Sequence, residues 1–162
     1  MGRRAAVPDR RIVRLELPDA IPAPTPYAEA DRRAAVHDLL MGNRFDPKGL
    51  PQGPFALHLA VRDGRLLFDI RDQQDRPLRV LALALGPFRR LIKDYHLVVQ
   101  SHEMAVHDSH PEARVQAIDM GRRGLHNEGA DLLAERLKGR IDLDFETARR
   151  LFTLVCALHQ RI

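Results

Sequence analysis

Ten consecutive residues, Asp119 to Glu128 (DMGRRGLHNE), crowd together six side chains that could do chemistry. Asp119, Arg122, Arg123, His126, Asn127 and Glu128 could converge on one anionic ligand. Within that stretch His126 is the candidate general base, because imidazole titrates near neutral pH, and Glu128 is its candidate assistant. Each residue also has a structural use. Asp119 can pair with Arg122 or Arg123, three and four residues on, if the segment is helical. Asn127 can cap a following helix, with Glu128 favourable in its first turn and His126 packed on the surface.

Gly121-Arg122-Arg123-Gly124 also has the form of a GxxG loop with basic residues inside. K-homology domains set such a loop between two helices to clamp backbone phosphates. RNA or a phosphate-bearing ligand is therefore an alternative reading of the same turn. Other chemistry is weaker. His102 and His107 are five residues apart, about 140° around a helix, so they miss the zinc-protease spacing of four. Glu103, His107 and His110 would share a helix face, but Pro111 follows at once, and no metal site is expected. Neither GxxxxGK[ST] nor GxGxxG occurs, and no cofactor is implied. Cys156 lies mid-stripe in an apolar helix and reads as core packing rather than as a reactive thiol.

The elements that must position these residues follow from pattern. Residues 11–17 (RIVRLEL) read as a short strand, and the proline-rich 18–26 as an extended connector. Ala30, Ala34, Ala35, Leu39 and Leu40 suit a helix over Tyr27–Met41, stopped by Gly42, and residues 43–54 read as loop. FALHLAV, Asp63-Gly64 and RLLFDIR form a β-hairpin on a type I′ turn. That turn sets Val61 against Leu66, Leu59 against Phe68 and Leu57 against Ile70 on one core face. On the other face His58 lies opposite Asp69, read as a structural His–Asp pair. A third strand covers 78–85, and Gly86-Pro87 opens a long helix lined by Phe88, Leu91, Ile92, Tyr95, Val98, Val99 and Val106.

After Pro111 one helix is expected to run to Met120 and another from Asn127 to Lys138, with GRRGLHNEG as a glycine-interrupted turn between them. Asp144 caps the last helix, which buries Phe145, Ala148, Leu151, Phe152, Val155, Cys156 and Leu158 and should lie at the centre of the fold.

Composition sets the frame. A chain of 162 residues, 44% hydrophobic and 30% charged, with one cysteine and 5% aromatics, fits a single globular domain with an aliphatic core and no disulfide. The net charge of +4 arises within residues 1–14, where Arg3, Arg4, Arg10, Arg11 and Arg14 oppose only Asp9, and the rest of the chain sums to zero. The basicity thus belongs to an arm, which reads as solvated. No apolar run reaches membrane-span length and no secretory signal is seen, so a cytoplasmic protein without a membrane partner is expected.

The motifs LLFDIRD, PFRRLIKDY, AIDMGRRGLHNEGADLLAERL and DFETARRLFTLVCALH resemble a family of small bacterial proteins designated an uncharacterised protein family. The resemblance covers roughly Ala56 to His159 and implies a small intracellular bacterial protein with no assigned activity. Its pattern includes Arg89, Arg90, Arg122, Arg123, His126, Glu128, Arg149 and Arg150.

The expected architecture is α+β: an antiparallel sheet of the hairpin 55–71 and the strand 78–85, with the strand 11–17 as a further member, against about five helices. Residues 1–26 form an arginine-rich arm, a short strand and a proline-rich connector, and 27–162 a single globular domain. The leading functional expectation is a non-catalytic interaction or regulatory protein that takes a protein partner or an anionic ligand. Its surface would centre on Arg122, Arg123 and His126, with Arg89, Arg90, Arg149 and Arg150 beside it. RNA binding at GRRG and acid–base catalysis by His126 and Glu128 are the alternatives.

Overall fold

The computed structural model describes residues 9–18, 23–108 and 111–159. Its strands are Ile12–Glu16 (β1), Phe45–Pro47 (β2), Phe55–Arg62 (β3), Arg65–Arg71 (β4), Pro77–Ala84 (β5) and Ile141–Leu143 (β6). Its α-helices are Pro26–Met41 (α1), Arg89–Ala105 (α2), Pro111–Leu137 (α3) and Phe145–Leu158 (α4), with a 3-10 turn at Gly86–Phe88 leading into α2.

The hairpin forms as its turn dictates. Asp63 and Gly64 both take positive φ, 52° and 71°, and Leu57, Leu59 and Val61 pair with Ile70, Phe68 and Leu66. β5 adds antiparallel to β4. β1 joins the other side parallel to β3, so the sheet is mixed rather than antiparallel, in the order β1-β3-β4-β5. Residues 45–47, expected as loop, pair with β6 in a separate two-stranded antiparallel sheet. The short strand expected within residues 11–17 forms as β1, and its Ile12 is buried.

Leu57, Leu59, Leu66, Phe68 and Ile70 enter one core with Leu39 of α1, Leu91, Ile92 and Tyr95 of α2, Leu133 and Leu137 of α3, and Leu151, Phe152 and Val155 of α4. α4 is buried along almost its whole length and is the central helix, opened by Asp144, whose Oδ1 accepts from the Thr147 amide at 3.1 Å. Phe145, expected inside, is 44% exposed, because it precedes the turn at which α4 enters the core. Thr25 caps α1 and Pro26 occupies its first turn. The buried stripe of α1 is Ala28, Asp31, Ala35 and Leu39; Ala30, Ala34 and Leu40 face outward.

The described residues contain four α-helices, not about five, because the expected break at GRRGLHNEG does not occur. α3 is continuous for 27 residues, on the order of 40 Å. Interior glycines at 121 and 124 cost about 1 kcal/mol each relative to alanine. Tertiary contacts offset that cost. Gly129, Ala130, Leu133 and Leu137 are buried against the other helices, and Arg122 is held by two carboxylates. Asn127 is consequently a mid-helix residue, not a cap.

The described arginines of the arm are not loose either. Arg10 lies 3.4 Å from Asp46, Arg11 bonds Asp9 and Arg14 bonds Asp75. Arg3 and Arg4 lie outside the described residues. His58 does sit opposite Asp69 in the register, but its Nε2 meets Asp75 Oδ1 at 2.9 Å while Asp69 bonds Arg71. Arg71 bridges the two carboxylates, donating to Asp69 at 2.8 Å and to Asp75 at 3.0 Å. No helix among the described residues is long and apolar enough to cross a membrane.

Candidate functional site

The helical state of 119–128 decides which of its side chains meet. Residues 119, 122 and 126 follow the i, i+3, i+7 spacing and share one face of α3, whereas 126 and 128 are about 200° apart. That face turns toward α1, where Asp31 is the one charged member of an otherwise apolar buried stripe.

Asp31 collects three partners. Tyr95 Oη donates to its Oδ2 at 2.6 Å, and Arg122 donates to its Oδ1 at 2.6 Å. His126 Nε2 lies 3.2 Å from Oδ2, within ion-pair range but not aligned as a hydrogen bond. Burial alone would raise the Asp31 carboxyl, but His126, Tyr95 and Arg122 together hold it below the usual carboxylate range. Arg122 also donates from Nε and an Nη to Asp119 Oδ1, at 3.0 and 2.7 Å, so both carboxylates lock its guanidinium. Tyr27 donates to the same Asp119 oxygen at 3.0 Å and lies under the Arg122 cation, 5.5 Å from its ring centroid. Burial pushes the Tyr27 hydroxyl up to about 12, against the pull of Arg122. The His102 ring, considered above as a metal ligand, stacks flat on Tyr27 at 3.7 Å. His107 lies 3.5 Å from Glu103, His110 is outside the described residues, and no cluster of three metal-ligand side chains occurs among those described.

Beside this network opens a cleft of about 120 Å³. α1 lines it with Asp31, Ala34, Ala35 and Asp38, α3 with Arg122 and His126, and α4 with Arg149, Arg150 and Thr153. Four of the residues singled out by sequence therefore share one cavity. Arg149 bonds Glu146 at 2.7 Å, and Arg150 reaches Glu146 at 3.5 Å and the Gly42 carbonyl at 3.4 Å. Their Nε atoms, together with His126 Nε2, are buried and have no hydrogen-bond partner among the described residues. A buried donor left so costs about 1–3 kcal/mol.

The remaining candidates lie elsewhere. Arg123 is 68% exposed and 3.3 Å from Asp119. Glu128 turns to the other flank of α3, where Arg90 donates to it at 2.5 Å while also meeting Asp94. Arg89 is exposed on α2. His126 and Glu128 thus form no acid–base pair, and GRRG forms no loop that could clamp a phosphate backbone. Cys156 is fully buried and burial raises its thiol, as befits packing.

Sequence reading missed Asp31, Tyr95 and Tyr27. Asp31 had a signal: a charge at i+3 between Ala28 and Ala35 on the inward stripe of α1. Tyr95 falls in an apolar stripe by sequence, although a buried phenol needs an acceptor.

Gly121 and Gly124 have open space where a Cβ would stand, and neither takes a left-handed φ. Folding gives no reason for either glycine. Gly124→Ala is expected to raise stability by up to about 1 kcal/mol, read as an increase of roughly 2–4 °C in Tm. A fall in Tm would mean that α3 is not continuous through this point.

A family model described as "Uncharacterised protein family (UPF0262)" matches residues 9–161. The UPF0262 protein of Granulibacter bethesdensis is 60% identical over 152 residues, covering 89% of this chain and 86% of that one. That of Maricaulis maris is 54% identical over 154 residues, 94% and 96% of the two chains. That of Agrobacterium fabrum is 46% identical over 153 residues, 94% and 97%. No solved structure gives a significant match.

Proposed function

Since the chain belongs to the uncharacterised bacterial family UPF0262, we propose from its own geometry that it is a non-catalytic binding protein whose α1–α3–α4 cleft takes an anionic group. One observation carries the reading. The Nε donors of Arg149 and Arg150, two residues that line one cleft, are buried and lack hydrogen-bond partners among the described residues. A planar guanidinium suits a carboxylate or phosphate because it donates two parallel bonds. Arg150 is the better placed of the two, since its contacts at 3.4 and 3.5 Å are long and an anion could replace them. Arg122 has a different task. Its bonds to Asp31 and Asp119 fix the wall of the cleft, and a ligand would meet the edge of that network.

The same carboxylate chemistry serves a small acid or an acidic side chain of a protein partner. Catalysis gains no support, because His126 is only 2% exposed and Glu128 lies across the helix from it.

Phosphate, a short dicarboxylate and an acidic peptide are the probes. Titration followed by amide NMR should shift resonances of α1 and α4 around the cleft for at least one of them. Arg149→Gln with Arg150→Gln should weaken that binding by tenfold or more with circular dichroism unchanged, because the charge-assisted bonds are each worth about 1.5–3 kcal/mol. Absence of any shift with all three probes, or equal affinity in the double variant, sinks the proposal.

A further inference from the structure

The two edges of the main sheet are treated differently. At β1 the Asn43 side chain plugs the edge: Ile12 N–H donates to its Oδ1 at 2.7 Å and its Nδ2 donates to the Ile12 carbonyl at 2.9 Å. Charged Arg14 and Glu16 follow on the same strand. β5, at the opposite edge, pairs with β4 alone among the described residues. It runs PLRVLALA, with Arg79 as its one charge, and Val80 is 63% exposed. An unpaired edge strand is a template for another strand. Pro77, Arg79 and the register shift at Ile70/Arg71 guard only the start of β5. The stretch from Val80 to Ala84 is apolar and pairs with β4 alone among the described residues.

The ladder shows which groups β5 offers. Leu85 N–H donates to the Gly64 carbonyl at 2.9 Å, directly opposite it in the hairpin register. Alternation along the ladder then turns the backbone groups of Leu83 and Leu81 toward β4 and those of Ala84, Ala82 and Val80 outward. The side chains of the outward-bonding residues also stand on the sheet face away from the core, opposite Arg65, Leu67 and Asp69 of β4.

We infer that β5 is the seam of a homodimer in which two copies pair this strand antiparallel about a two-fold axis at Leu81. Parity fixes the register of such a seam. In an antiparallel pair opposed residues share a face, so self-pairing must set even-numbered residues against even-numbered ones. An axis at Leu81 does this and places Val80 against Ala82 of the second copy, each with its backbone groups pointing across the seam. Leu67, Ala82 and the second copy's Val80 then form one apolar row, repeated by symmetry, which covers the exposed valine. Charge favours it too. Arg79 falls opposite Leu83, and the two copies of Arg79 sit about 13 Å apart along the strands, beyond a Debye length of about 10 Å at 0.1 M salt. The pairing is isologous and closes at two, as the commonest oligomers do.

Sedimentation velocity of the full chain tests this. The wild type should sediment at twice the 18.4 kDa chain mass at tens of micromolar. Val80→Lys, at an already exposed position, should sediment at 18.4 kDa with unchanged circular dichroism. Met120→Lys, at another exposed apolar site (71%), should leave the dimer intact. In the wild type the amides of Val80, Ala82 and Ala84 should be protected from hydrogen exchange, and in Val80→Lys they should exchange at least tenfold faster. A monomeric wild type overturns the inference. So does a dimer that survives Val80→Lys, or one whose three amides exchange as freely as in that variant.

Discussion

Asp31→Ala is expected to destabilise the protein by roughly 3–5 kcal/mol, the cost of removing one partner from a buried ionic cluster. The carboxylate is nearly inaccessible, with 7% of its side chain exposed, and it accepts from Tyr95 and Arg122 while facing His126. Alanine would leave the Tyr95 hydroxyl without its acceptor and deprive the Arg122 charge of one of its two carboxylates. Against a total stability of about 5–15 kcal/mol this is a large fraction, and the midpoint of urea unfolding should fall accordingly. Tyr95→Phe, which removes only one donor to the same carboxylate, should cost about 1 kcal/mol. The effect has a pH signature. The folded pKa of Asp31 is depressed, so its contribution is present above the unfolded carboxylate value of about 3.9 and is lost as pH falls through the folded value. The stability gap between wild type and Asp31→Ala should therefore be full at neutral pH and narrow in strong acid. A gap below 1 kcal/mol at pH 7 would mean that the cluster contributes little to the fold.

Gly129→Ala should also be strongly destabilising, opposite in sign to Gly124→Ala one and a half turns earlier in the same helix. A Cβ at 129 would overlap three ring carbons of Phe152. Phe152 is fully buried and packed on Phe88, with ring centroids 6.4 Å apart, so it has nowhere to retreat. α3 and α4 would have to separate. Overpacking of this kind costs about 1–3 kcal/mol or more, and the gain in helix propensity returns at most about 1. A net loss near 2 kcal/mol should lower Tm by roughly 5 °C. Phe152→Leu in the Gly129→Ala background should recover part of that loss, because it removes the ring atoms in contact. If Gly129→Ala unfolds at the wild-type temperature, the close approach of α3 and α4 is incorrect.

Gly129 also shows how far one-dimensional reading reaches. The four glycines between 121 and 139 look alike in sequence, yet they have different environments. Gly139 takes φ +83° and ends a helix, Gly129 admits a neighbouring ring, and Gly121 and Gly124 meet nothing within 4 Å. Treated alike as helix breakers, they imply an extra helix and a turn at GRRG, which the structure does not have. Propensity is a cost of order 1 kcal/mol per residue, and the packing of a buried helix face overrides it.

The site divides along the same line. Arg122 and His126 were legible as neighbours once helical spacing was assumed, and Arg149 and Arg150 were visible in the motif of the last helix. Their meeting in one cleft was not, since they lie more than twenty residues apart on different helices. Glu128 and Arg123 are neighbours of His126 in the chain, and the 100° step of the helix separates them in space.

By itself the sequence determined the elements whose causes are local. The type I′ turn at Asp63-Gly64 fixed the hairpin register, Asp144 fixed the start of α4, and the density of apolar residues in α4 made it central. Tertiary structure alone decided that β1 runs parallel to β3, that β2 and β6 pair, that α3 continues through GRRG, and that Asp31 rather than Glu128 is the carboxylate facing His126. Local signals act through backbone geometry within a few residues. These last features depend on which surfaces exclude water together, and that is settled only when distant segments meet.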